Sequence, residues 1–77
     1  MLLYSAQDLA MAIGHQSRAV VICERVMGLD HHDTAHAYGN LSLFCHQAGR
    51  TREALAYMTR ALYLGEVILY HVSFRTL

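Results

Sequence analysis

Apolar residues along this chain do not alternate with polar ones, so the period-two signature of a half-buried strand is missing. They recur instead at helical spacing. Tyr38, Leu41 and Cys45 fall on one stripe of a helix, while Gly39, Asn40, Leu43, His46 and Gln47 fall on the opposite one. The β-branched run Val20, Val21 and Ile22 lies between Ala19 and Glu24, with no hairpin turn nearby, and reads as a buried helix segment. Breaks are expected at Ala6-Gln7-Asp8, at Gly28 to His32 and at Ala48 to Thr51. Four helical pieces follow, the first one short, and the fold class is all-α.

A shift of 42 residues aligns the chain with itself. Ala6 then meets Ala48, Ala12 meets Ala54, Arg18-Ala19 meets Arg60-Ala61, and Glu24 meets Glu66. Apolar character is kept where Val20 faces Leu62, Ile22 faces Leu64 and Val26 faces Ile68. A fixed stride of this kind is what a stacked helical repeat produces, because one helix pair cannot bury its own apolar face alone.

Residues 37 to 64, AYGNLSLFCHQAGRTREALAYMTRALYL, resemble a tetratricopeptide repeat. Tyr38 stands at the large aromatic position, Leu41 and Ser42 at the leucine-small pair, Gly49 at the turn, and Ala54 and Ala61 at the small positions of the second helix. The resemblance implies an antiparallel pair, helix A from about Asp33 to Ala48 and helix B from about Arg52 to Val67. Ser42, Ala54 and Ala61 would allow close approach, and Tyr38, Leu41, Cys45, Leu55, Met58 and Leu62 would fill the space between. Cys45 stands where the motif has an aromatic residue, which predicts looser packing there.

The long stride and the linker GLDHHDTAHAYGNL resemble the repeats of kinesin light chains and of the clustered mitochondria protein family. The wording from Ile22 to Leu64 is closer to the second, whose repeats read ERVLGLDHPDT before a tyrosine-glycine-asparagine helix. His32 replaces the family's proline at the first helical turn, which predicts a softer helix start. Beyond Leu64, GEVILYHVSFRTL loses the expected linker. The organisation expected is therefore an α-solenoid fragment: residues 1–32 as the end of helix A, helix B and linker of a first repeat, 33–67 as a complete second repeat, and 68–77 as a divergent tail.

Composition adjusts this picture little. The 77 residues are 55% hydrophobic, contain no proline and carry six arginines against six acidic residues with no lysine, so no basic nucleic-acid footprint shows. The longest apolar runs, 19–23 and 67–70, are far too short to cross a bilayer. The opening segment lacks a basic n-region and carries Asp8, so a cytoplasmic location is expected. Cys23 and Cys45 make no disulfide framework or zinc-finger spacing and read as packing residues. His32 and His36 have the spacing of a metal-binding helix face, but Asp33 beside them is accounted for by the helix dipole, and no metal or other cofactor is expected. No catalytic constellation can be assembled, and the chain is expected to be non-enzymatic.

In tetratricopeptide arrays the concave face is lined by helix A residues not used in packing, here Gly39, Asn40, Leu43, His46 and Gln47. The Asn40 amide could pair with the backbone of an extended peptide or with the neighbouring repeat. The family resemblance further implies a cytoplasmic protein that keeps mitochondria distributed, binds mRNAs for mitochondrial proteins and associates with the translation machinery. The alternative is a kinesin-light-chain-like adaptor that captures peptides in the groove. Expected partners are adjacent repeats of a parent chain and a protein or peptide ligand, without membrane insertion. Because about three repeats are needed for stability, the isolated chain is expected to be marginal or self-associating.

Overall fold

The computed structural model describes residues 5–29 and 31–76. Among these residues the chain forms three helices, α1 (Ala6–Val26), α2 (His32–Gln47) and α3 (Thr51–Thr76), and no strand. Each start and stop has an identifiable local cause. Ser5 caps α1: its hydroxyl accepts the Asp8 N–H, and the Asp8 carboxylate accepts the Ser5 N–H in return. The expected break at Ala6-Gln7-Asp8 is therefore corrected. Those residues are the first turn of α1, and Asp8 closes the cap instead of ending a helix. The short first helical piece, the end of a preceding helix A, falls mainly on residues 1–4 and lies outside the described residues.

The turn from α1 to α2 uses Gly28 at a φ of 91°, a left-handed conformation that glycine adopts without a Cβ clash. The start of α2 is firmly tied despite the missing proline. The His31 imidazole accepts the Asp33 N–H through Nδ1, and the buried Thr34 hydroxyl donates to the Gly28 carbonyl at 2.7 Å. These two bonds tie the first turn of α2 to the preceding loop in place of the family's proline.

α2 ends on a Schellman turn. Gly49 has a φ of 80°, its N–H donates to the His46 carbonyl, and the Arg50 N–H donates to the Cys45 carbonyl. Nothing crowds the Gly49 Cα, so the requirement for glycine is conformational alone.

α3 continues as a helix to Thr76, well past the expected end near Val67. Residues 68–76, set apart for their divergent sequence, continue the same helix. No proline interrupts the segment, and after Gly65 the residues are compatible with helix.

α2 is the middle element. It packs against α1 on one side and α3 on the other, while α1 and α3 do not meet among the described residues. The core runs along α2: Thr34, Ala37, Tyr38, Leu41, Ser42 and Cys45 are buried, with Ile13 and Val20 from α1 and Ala54 and Leu64 from α3. Leu41 is 2% exposed and Cys45 is fully buried, so the site expected to pack loosely is closed. Among the described residues no buried side-chain nitrogen or oxygen lacks a hydrogen-bond partner.

Candidate functional site

The core of α2 determines which of its residues are left over. Tyr38 is anchored from both sides. Its hydroxyl donates to Glu24 Oε1 of α1, the Arg60 guanidinium of α3 lies 5.4 Å from its ring centroid, and the Tyr57 ring is tilted against it at 6.1 Å. Burial, then the hydrogen bond and charge of Glu24, push the phenol above its ordinary pKa, with Arg60 pulling the other way.

Ser42 draws α2 onto α3: its hydroxyl donates to the Ala54 carbonyl at 2.7 Å in a buried setting, an approach that the small side chains at both positions permit. Gln16 of α1 donates to the Ala37 carbonyl at 3.2 Å. Cys45 sits beneath these contacts. Its thiol is pushed above the ordinary range by burial and by Glu53, against the opposing effect of Arg50, which is the reverse of what a reactive thiolate needs.

Opposite this anchored face lie the five residues expected to line a groove. Gly39 and Asn40 are half-buried, and Leu43, His46 and Gln47 are exposed. The stripe divides. Leu43 and His46 turn toward α3 and share a depression of about 360 Å³ with Ser42, Thr51, Ala54, Leu55 and Met58. Gln47 turns toward α1 and lines a second, of about 430 Å³, with Ala6, Leu9, Ala10, Ile13, Ala48 and Arg50. Asn40 lies one heptad before Gln47 on the same side of the stripe, and among the described residues its amide has no hydrogen-bond partner.

The expected packing set is partly corrected. Tyr38, Leu41, Ser42, Cys45 and Ala54 are buried, Met58 and Ala61 are half-buried, and Gly49 is an exposed turn residue. Leu55 and Leu62, however, are 64% and 63% exposed. They lie on the flank of α3, Leu55 at the edge of the depression it shares with α2, and neither is enclosed within this helix pair. Two residues on the outer stripe were not anticipated as groove residues. His32 and His36 are exposed and fall on the same side of α2 as Leu43, a placement readable from their i, i+4 and i+11 spacing.

The tighter cluster is His31, His32 and Asp33, whose potential ligand atoms lie within 4.8 Å of one another, with the two imidazoles stacked at 4.6 Å. One of those atoms, His31 Nδ1, is engaged by the Asp33 N–H, and the helix N-terminus there opposes a cation. The arrangement is that of a capped helix start. The ion pair seen elsewhere, Arg50 with Glu53 at 3.7 Å, is exposed and contributes little.

Comparison with known proteins agrees with this architecture. The tetratricopeptide repeat family matches residues 1–64. The clustered mitochondria protein of Arabidopsis thaliana is 53% identical over 61 residues, which cover 79% of this chain and 4% of that protein. Clustered mitochondria protein homologs of Aspergillus niger and Ajellomyces capsulatus are 41% and 43% identical over 68 residues, 88% of this chain and 5% and 6% of theirs. The chain thus spans only a small part of the curated relatives it matches. No solved structure matches it.

Proposed function

This chain belongs to the tetratricopeptide repeat family, and from that premise we propose that it is a non-enzymatic scaffold segment that presents the outer face of α2 to an extended peptide, within a clustered-mitochondria-type protein. The observation that carries the reading is Asn40. Its amide offers a donor and an acceptor with no hydrogen-bond partner among the described residues, and it is held half-buried on a helix anchored from both sides. An amide so placed pairs with a peptide backbone in either polarity without reading side chains. His36 and Gln47 add polar contacts along the same stripe, and Leu43 adds an apolar one.

The whole-protein role that goes with this reading is cytoplasmic: distribution of mitochondria, with binding of mRNAs for mitochondrial proteins and contact with the translation machinery. Within this stretch, Arg50 is paired with Glu53 and Arg60 lies over Tyr38, so the reading assigns peptide recognition here and RNA contact to other parts of a parent chain. Among the described residues no helix is long and apolar enough to cross a membrane, in keeping with partner binding by exposed helix faces.

The test is selection of extended peptides from a displayed library by the full chain, followed by affinity measurement for the enriched sequences. Asn40→Ala is expected to weaken them about tenfold, the loss of one backbone-pairing amide at about 1.4 kcal/mol. Ultraviolet crosslinking of the same chain to polyadenylated RNA is expected to be negligible. Efficient crosslinking with no Asn40-dependent peptide binding would replace peptide recognition by RNA contact. Peptide binding that needs a cargo-type motif, with no effect of the chain on mitochondrial distribution, would favour the kinesin-light-chain-like adaptor.

A further inference from the structure

Among the described residues, His31 is the histidine whose side chain caps a helix. Helix caps are ordinarily serine, threonine, asparagine or aspartate, none of which changes charge near neutral pH. An imidazole does. The bond also has a protonation requirement: Nδ1 accepts the Asp33 N–H at 3.0 Å, so that nitrogen carries no proton and the ring proton sits on Nε2. A proton taken from solvent onto Nδ1 turns the acceptor into a donor, the Asp33 N–H passes to water, and the cap is gone. The bond is therefore complete above the ordinary imidazole range of about 6.5 and lost below it.

The charges around the ring decide whether protonation finds a compensating partner. Within its own segment His31 faces His32, whose ring is stacked on it at 4.6 Å, and Asp33, whose carboxylate lies 3.7 Å from Nδ1. That carboxylate is exposed and also lies 3.6 Å from His32, so an ion pair there is screened by water and divided between two imidazoles. Against it stand the positive end of the α2 dipole and the stacked second ring, which repels once it is charged. From the other elements, Glu24 of α1 is taken up by the Tyr38 hydroxyl and Arg60 of α3 lies over the Tyr38 ring. Neither these nor Arg25, in the last turn of α1, forms an ion pair with His31.

Two side-chain ties hold the start of α2, and only one of them titrates. The buried Thr34 hydroxyl donates to the Gly28 carbonyl whatever the pH. His32 occupies the place at which the resembled repeats carry proline, so no fixed φ holds the first turn when the His31 bond opens. We propose that His31 is a pH-sensitive clasp at the joint between α1 and α2: neutral, it caps α2, and protonated, it frees the turn that begins at His32, while Thr34 keeps the joint from melting. The result is a graded loosening at the end of α2 where its outer face begins. The inference rests on the cap geometry and not on peptide capture by Asn40.

The experiment compares the thermal midpoint of the full chain at pH 8 and pH 5 with those of His31→Asn, a cap that does not titrate, and His31→Ala, which has none. A cap shifts the midpoint of a domain of this size by about 4 to 8 °C. At pH 8 the wild-type chain is expected to match His31→Asn and to exceed His31→Ala by that amount. At pH 5 it is expected to fall to the level of His31→Ala, with His31→Asn above both. The remaining histidines are common to all three chains and cancel in the comparison. The same crossover is expected with His32→Ala in the background; its disappearance there would trace the effect to repulsion between the stacked rings and overturn the proposal. A wild-type advantage over His31→Ala that is unchanged or larger at pH 5 would overturn it too, because the Asp33 ion pair would then outweigh the cap. A long-range proton–nitrogen spectrum of the wild-type chain needs no variant to fold. At pH 8 it is expected to show the His31 proton on Nε2, and on acidification the Asp33 amide resonance is expected to follow the His31 ring. A proton on Nδ1 at pH 8, or an Asp33 amide indifferent to the ring, would contradict the clasp.

Discussion

Leu41 and Leu62 are both leucines on helices of the same helix pair, and the structure assigns them opposite energetic weight. Leu41 is 2% exposed at the centre of α2, between α1 and α3, while Leu62 is 63% exposed on the outer row of α3. Truncating Leu41 to alanine removes the end of its side chain from a closed site and leaves a cavity that the two flanking helices cannot collapse together. The cost expected for such a site is about 2.7 to 5 kcal/mol. A chain of 77 residues has a total stability of about 4 to 12 kcal/mol at 0.05 to 0.15 kcal/mol per residue. Leu41→Ala therefore removes from a quarter to all of it.

Leu62→Ala removes surface that is mostly in water, and alanine is the stronger helix former, so the change expected is within about 0.5 kcal/mol. Thermal unfolding followed at 222 nm is the assay. At about 4 to 8 °C per kcal/mol for a domain of this size, Leu41→Ala lowers the midpoint by more than about 10 °C or abolishes the transition, and Leu62→Ala shifts it by no more than about 4 °C. Equal losses from the two, or a Leu41→Ala cost below about 1 kcal/mol, would refute the assignment of the core to α2.

Alkaline stability follows from Tyr38. Burial, reinforced by Glu24, raises its folded pKa above the ordinary 10.0, so its contribution is complete below pH 10 and is lost as pH rises through the folded value. Cys45, raised from 9.0 mainly by burial, adds in the same direction above pH 9. Urea midpoints should thus fall between pH 9 and 11, and Tyr38→Phe should flatten the upper part of that decline; a midpoint that rises over this range contradicts the sign. A disulfide reagent is expected to modify the half-buried Cys23 in the native chain and to reach Cys45 only on unfolding, with mass spectrometry locating the label. Gly39 has open space around its Cα, so Gly39→Ala should stabilise α2 by about 0.5 to 1 kcal/mol while weakening peptides on its outer face. Gain or loss in both together would remove Gly39 from the binding surface.

The all-α class, the helix pair and the central position of Tyr38, Ser42 and Ala54 were legible because each depends on a local pattern: helical spacing, small residues, and glycine where the chain turns. Helix ends were less so. Ser5 and Asp8 form a cap whose chemistry also suits a turn, and the pattern of residues 5–8 does not separate the two until the backbone bonds are seen. His31 as the α2 cap was missed because histidine is an uncommon capping residue. Leu55 and Leu62 show a different limit. Hydrophobicity marks a residue as packing but does not say against what, and in a repeat the partner of a residue can lie in the next repeat. The division of the outer α2 stripe between its two neighbours was likewise invisible, since it depends on where α1 and α3 sit.

In this fold α2 is clasped on both sides by helices one stride apart, with Tyr38 as the shared anchor. A nuclear Overhauser spectrum of the chain tests it most directly. Cross-peaks from the Tyr38 ring to Glu24 side-chain protons of α1 and, in the same sample, to Tyr57 and Arg60 protons of α3 are the result expected. Cross-peaks to one helix alone, or to neither, would contradict it.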